Sequence, residues 1–133
     1  MIFSTRSSYG LRAMINLAKR QERGSVALAQ IAEEEKISMK YLERLFAGLK
    51  KAGLVKAEIG SGGGYKLAKS ASKINIYDII IALEGSLNAF HCTDDKKKIY
   101  CSKFCNCEVT HVLLKVEQAV SQTLKKIKLS QLL

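Results

Sequence analysis

The chain contains no proline, so no proline kink or polyproline linker punctuates it, and the ends of its elements must be read from glycines and polar clusters. It also lacks an apolar run of the roughly eighteen residues needed to cross a bilayer. The start, MIFSTRSSYGLR, is polar and charged where a secretory signal would need an unbroken apolar stretch. Both absences predict a cytoplasmic protein with no membrane partner. Cysteine and histidine are missing from most of the sequence: all four cysteines and both histidines lie between His91 and His111. Disulfides persist poorly in the cytosol, where clustered cysteines more often bind metal or carry out redox chemistry.

Acidic residues are also scarce. Twelve Asp and Glu stand against 22 Lys and Arg, for a net charge of +10, within 133 residues that are 47% hydrophobic. That size and composition suit one compact domain with a real core. The excess charge is uneven, because residues 1–73 carry fourteen Lys and Arg against six Asp and Glu. A basic first half points to a polyanion, nucleic acid ahead of membrane.

The order of elements sharpens this. TRSSYGLRAMINLAKR (5–20) places Tyr9, Ala13, Met14, Leu17 and Ala18 at helical spacing, and LAQIAEEE (28–35) forms a short second helix with Leu28, Ile31 and Ala32 inward. Ser38 is an N-cap for MKYLERLFAGLKKAG, in which Leu42, Leu45, Phe46 and Leu49 form the buried stripe. Lys40, Glu43, Arg44 and Lys50 face outward, and Gly53 closes the helix. A short helix, a tight turn and a longer helix with a polar outer face make a helix-turn-helix. LVKAEIG, SGGG and YKLAKSA then read as a hairpin anchored by Leu54, Ile59, Tyr65 and Leu67, the position of a wing. The glycines do not form a phosphate loop, because neither a helix nor Gly-Lys-Ser/Thr follows them.

Asn75 caps a helix packed through Ile76, Ile79, Ile80 and Leu83. The last helix, about 108–127, aligns Val109, Val112, Leu113, Val116, Val120, Leu124 and Ile127. That stripe is most simply buried against a second copy, giving a two-fold homodimer. The fold expected is mainly α with a small β-hairpin. It comprises a winged helix-turn-helix DNA-binding domain (1–73), a linking helix (74–90), a cysteine-rich sensory loop (91–107), and a dimerisation helix with a C-terminal tail (108–133).

YGLRAMINLA (9–18), LAQIAEEEKISMKYLERLFAGLKKAGLV (28–55) and GSGGGYKLAKSASKINIYDIIIALEG (60–85) together resemble the iron–sulfur cluster regulator family of bacterial winged helix-turn-helix transcription factors, IscR/NsrR-like. The resemblance covers nearly the whole chain. It implies a homodimer on pseudo-palindromic double-stranded promoter DNA, contacted through Ser38, Lys40, Tyr41 and Glu43 of the recognition helix and Gly62, Gly63, Gly64 and Tyr65 of the wing. Arg44, Lys50 and Lys66 are the basic residues expected to join them. The sequence departs from the family at the wing tip, where many members have arginine and proline around the first glycine and this chain has Ile59 and Ser61. Loss of an arginine suited to a narrow minor groove implies a different operator preference.

The resemblance further implies a [2Fe–2S] or [4Fe–4S] cluster held by three cysteines. Cys92, Cys101 and Cys107 fit that arrangement best, with Cys105 or His111 as a fourth ligand. The function expected is a dimeric transcriptional regulator sensing iron–sulfur, redox or nitric oxide status, and not an enzyme: Asp94, Asp95 and Glu108 are the segment's only carboxylates. Two alternatives stay open at this point. One is a cluster-free regulator responding to cysteine supply or thiol oxidation, aided by Lys96, Lys97, Lys98 and Lys103. The other is a zinc-stabilised DNA-binding protein, for which thiolates and imidazole are also suitable ligands.

Overall fold

The computed structural model describes residues 3–87 and 107–133. The expected order of helices and hairpin is present. Helix α1 (Thr5–Ala18) is followed by α2 (Leu28–Glu35), α3 (Met39–Lys51), strands β1 (Val55–Glu58) and β2 (Gly64–Leu67), α4 (Ile76–Glu84) and α5 (Glu108–Lys126). Helices α1, α3 and α4 each start where a short polar side chain satisfies one of the first amides, whereas α5 begins at Cys107 without a side-chain cap bond. Ser4 accepts from the Arg6 amide at 3.1 Å, Ser38 from the Tyr41 amide at 3.2 Å, and Asn75 from the Asp78 amide at 2.8 Å. Between α2 and α3 the turn is only three residues, and Lys36 closes α2 in the left-handed region at φ 56°. The Ile37 amide then donates to the Ala32 carbonyl at 3.0 Å, which turns the chain sharply into α3.

One buried cluster runs from Ala13 of α1 to Leu129 beyond α5. Leu42, Leu45, Phe46 and Leu49 of α3 are all in it, as are Ile76, Ile79, Ile80 and Leu83 of α4. The expected stripes on both helices are therefore the buried ones. The C-terminal tail belongs to the same core. The Leu129 amide donates to the Ile74 carbonyl at 2.8 Å, the Ile76 amide donates to the Ile127 carbonyl at 2.9 Å, and Leu129 is fully buried.

The hairpin pairs β1 with β2 antiparallel, Val55 opposite Leu67 and Glu58 opposite Gly64. Val26, preceding α2, adds a third segment through two hydrogen bonds with Tyr65, each 2.8 Å. A methyl group at Gly64 would overlap the Val26 carbonyl, so only glycine lets this segment approach. One expectation for the hairpin fails. Ile59 anchors nothing: it lies one residue beyond the paired ladder and is fully exposed at the tip.

Helix α5 packs on α4, with Val120 and Leu124 of its apolar stripe half-buried against the core and the N-terminal part of the stripe left open. Thr110 is its one buried residue, while Val109, Val112 and Val116 remain 64%, 60% and 44% exposed. No described helix is long and apolar enough to cross a membrane.

Candidate nucleic-acid interface

The face of α3 opposite the core is continuous. Lys40, Glu43, Arg44, Ala47, Lys50 and Lys51 are all exposed, and Met39 is 41% exposed. Met39 and Ala47 were not singled out from sequence, although Ala47 falls three or four residues from Glu43, Arg44 and Lys50 and seven from Lys40. Such a face combines cations for phosphates, a carboxylate able to accept from a cytosine amine, and small apolar groups for a thymine methyl. Ser38 sits at its leading end. Its oxygen caps α3, and its hydroxyl hydrogen can still serve as a donor.

Tyr41 is half-buried, with its ring edge-on to Tyr9 at 6.0 Å between centroids. The Arg12 guanidinium lies 5.7 Å from the Tyr9 centroid. Tyr41 thus ties α3 to α1, and less of it is presented outward than of its neighbours. The basic first half is also less available than its composition suggests. Arg12 bonds Glu35 at 3.0 Å, Arg20 pairs with Glu34, and Arg6 lies 3.5 Å from Glu84. Asn16 donates to Glu34 and to Glu35, each at 2.9 Å, and completes the seam between α1 and α2. The Arg20 hydrogen bond, followed by that from Asn16, holds the Glu34 carboxyl down to about 2. Lys40, Arg44, Lys50 and Lys51 of α3 and Lys56 just beyond it take part in none of these ion pairs, and neither do Lys19, Arg23, Lys36, Lys69 and Lys73.

The wing follows α3 directly. Phe46 meets Tyr65 at 5.0 Å between centroids, which fastens the hairpin to the helix. Its tip is Gly60–Ser61–Gly62–Gly63, with Gly60 and Gly62 at φ 115° and 75° and the Gly63 amide donating to the Gly60 carbonyl at 2.9 Å. Lys66 does not project toward the tip as a lone cation. Its ammonium pairs with Glu58, which also accepts from the Ser25 hydroxyl. The Lys66 hydrogen bond, then that of Ser25, lowers the Glu58 carboxyl below its ordinary value.

Of the expected cluster ligands, Cys92, Cys101 and Cys105 lie outside the described residues. Cys107 occupies the N-cap position of α5, with Sγ 3.2 Å from Thr110 Oγ1. His111 is one turn on, its amide donating to the Cys107 carbonyl at 3.3 Å, and its side chain is exposed. Among the described residues, no group of three His, Cys, Asp or Glu is placed to hold a metal ion. One thiol and one imidazole fall short of the three thiolates a cluster requires, so Cys107 and His111 alone do not constitute such a site.

The family model described as Rrf2, iron-dependent transcriptional regulator, matches residues 3–133. The HTH-type transcriptional regulator IscR of Cereibacter sphaeroides is 44% identical over 93 residues, covering 68% of this chain and 60% of that protein. IscR of an Escherichia coli strain is 42% identical over 92 residues, 69% of this chain and 57% of that protein. The aligned region therefore spans about three fifths of the length of these curated relatives. Among solved structures, T. potens IscR is 38% identical with a TM-score of 0.77, covering 99% of this chain and 85% of that one. CymR, the global cysteine regulator of B. subtilis, is 32% identical with a TM-score of 0.79, covering 99% and 95%. With a capped helix-turn-helix, a glycine-tipped wing and a long C-terminal helix in the family's order, the chain belongs to the Rrf2 family of transcriptional regulators.

Proposed function

We propose that the chain acts as a homodimer on pseudo-palindromic promoter DNA, with α3 in the major groove and the wing beside it. The observation carrying this is the division of α3: one side holds Leu42, Leu45, Phe46 and Leu49 in the core, and the other presents Lys40, Glu43, Arg44, Ala47 and Lys50 without interruption. Two such helices, related by a two-fold axis, would read half-sites about one helical turn apart. The exposed valines of α5 supply the surface for the second copy, and the apolar groove lined by Phe3, Ala119, Val120 and Leu124 continues it. Selection from a random-duplex library is expected to return a two-fold symmetric site bound more weakly as salt rises. Recovery of sequence-independent binding alone would refute the proposal.

For the signal, we favour thiol chemistry without a cluster, reporting cysteine supply or thiol oxidation through Cys92, Cys101, Cys105 and Cys107. Support comes from likeness to CymR of B. subtilis and to the oxidised form of Staphylococcus aureus CymR, 34% identical with a TM-score of 0.74. The chain covers 95% of each, against 85% of T. potens IscR. A second reading, an iron–sulfur cluster on Cys92, Cys101 and Cys107 with Cys105 or His111, is favoured by the identity to T. potens IscR and by the thiolate-rich donor set. Anaerobic purification with iron, sulfide and zinc assays separates them. Metal-free protein whose DNA affinity changes on mild oxidation and recovers with dithiothreitol supports the thiol reading. Stoichiometric iron and sulfide with a visible absorption band overturns it in favour of the cluster.

A further inference from the structure

Ile59 is the most exposed large apolar side chain of the described residues, at 102% of its reference area. It stands between the last paired residue of β1, Glu58, and the turn Gly60–Ser61–Gly62–Gly63. Nothing bulky surrounds it, because the following side chains are absent or as small as serine. The ionic side chains of the hairpin, 55–67, are Lys56, Glu58 and Lys66. Of the two cations, Lys66 is held by Glu58, and Glu58 is steadied by Ser25 from the segment before α2. The tip of the wing thus offers a neutral, apolar point where an unpaired cation would have offered attraction to phosphates. The rigid Phe46–Tyr65 contact keeps that point in fixed relation to α3.

We propose that Ile59 is an apolar contact residue of the wing, inserted into the minor groove flanking the half-site read by α3, and that the Glu58–Lys66 pair withholds Lys66, though not the exposed Lys56, from the phosphates. The inference rests on the DNA-binding function proposed above. Isoleucine is one of the apolar side chains that enter a minor groove as a wedge between base steps. Such a contact carries no counterion release, so it adds affinity that salt does not remove. It also carries no positive charge for the enhanced negative potential of a narrow A-tract groove.

The test uses the full chain and duplexes from the library selection, titrated between about 50 and about 200 mM salt. Ile59→Ala is expected to weaken binding roughly tenfold, with a salt dependence parallel to that of the unaltered protein. Lys66→Met is expected to leave the slope of log K against log salt unchanged. Glu58→Gln frees Lys66 and steepens that slope by about 0.9, the value of one phosphate contact. At the wing position, replacing A·T by I·C keeps the minor-groove pattern and is expected to be neutral, whereas G·C adds the guanine amino group and weakens binding. Ile59→Ala binding as tightly as the unaltered protein, Lys66→Met flattening the slope by about 0.9, or I·C weakening binding as much as G·C would each overturn the inference. Failure of the unaltered protein to bind any duplex would instead sink the DNA-binding reading. Glu58 and Ile59 are exposed and Lys66 is partly exposed, and thermal melting confirms that the three variants are folded.

Discussion

The Phe46 ring meets the Tyr65 ring edge-on at 5.0 Å and 71°, one from the middle of α3 and the other from the second strand of the wing. Phe46 has no exposed surface, and Tyr65 also holds Val26 through its backbone. With the Val26–Tyr65 backbone bonds and the burial of Leu54, Val55 and Leu67, this contact joins helix, hairpin and the segment before α2. Phe46→Ala is expected to destabilise the fold by about 3–5 kcal/mol, as loss of a buried ring leaves a cavity. Urea unfolding monitored by circular dichroism would measure it. Phe46→Leu should cost distinctly less, because most of the volume is kept.

Ser38 and the outward cations of α3 are expected to separate stability from binding. Ser38→Ala removes the cap on the Tyr41 amide and should cost about 1 kcal/mol in a denaturant melt. Lys40→Ala and Arg44→Ala touch nothing buried and should leave the melt unchanged. If each contacts a phosphate, each lowers the salt slope of DNA binding by about 0.9.

On α5, Val112 is 60% exposed in the single chain. Val112→Glu places a charge on the face expected to meet a second copy. Sedimentation should show a shift from dimer to monomer and a loss of cooperative binding to a two-fold site. The far-ultraviolet spectrum should be retained, since the monomer's own core is untouched.

Acid stability should report on the seam between α1 and α2. Glu34 titrates near 2 when folded, against an ordinary value of 4.5. Its depressed value favours the folded state above the ordinary value, and this contribution is lost as pH falls toward 2. Glu58 and Glu84 are also lowered. For Glu84, burial pushes upward, but bonds from Ser4 and Ser7 and the Arg6 charge prevail. Glu34→Gln is therefore expected to flatten the fall in melting temperature on the acid side and to leave the rest of the profile similar in shape.

Much of the α3 surface was legible in the chain itself. A helix that buries one stripe must repeat its apolar residues every three or four positions, so Leu42, Leu45, Phe46 and Leu49 identify both the buried face and, by exclusion, the outward one. The caps Ser38 and Asn75 were legible for the same local reason: the bond each makes spans three residues. Pairings between distant elements were not. Glu34 and Glu35 look like surface charge in sequence, yet they neutralise Arg20 and Arg12 across two helices. The same holds for Lys66, whose partner lies on the opposite strand.

The amino-acid order by itself determined the elements, the caps Ser38 and Asn75 and the basic character of the first half, because hydrophobic period, short polar caps and glycine act within a few residues of one another. Tertiary structure alone decided which of those charges stay available, that Ile59 projects from the hairpin instead of anchoring it, and that Leu129 closes the core from the far end of the chain. Those outcomes depend on which surfaces meet in space, and contacts over such sequence separations leave no periodic trace in the sequence.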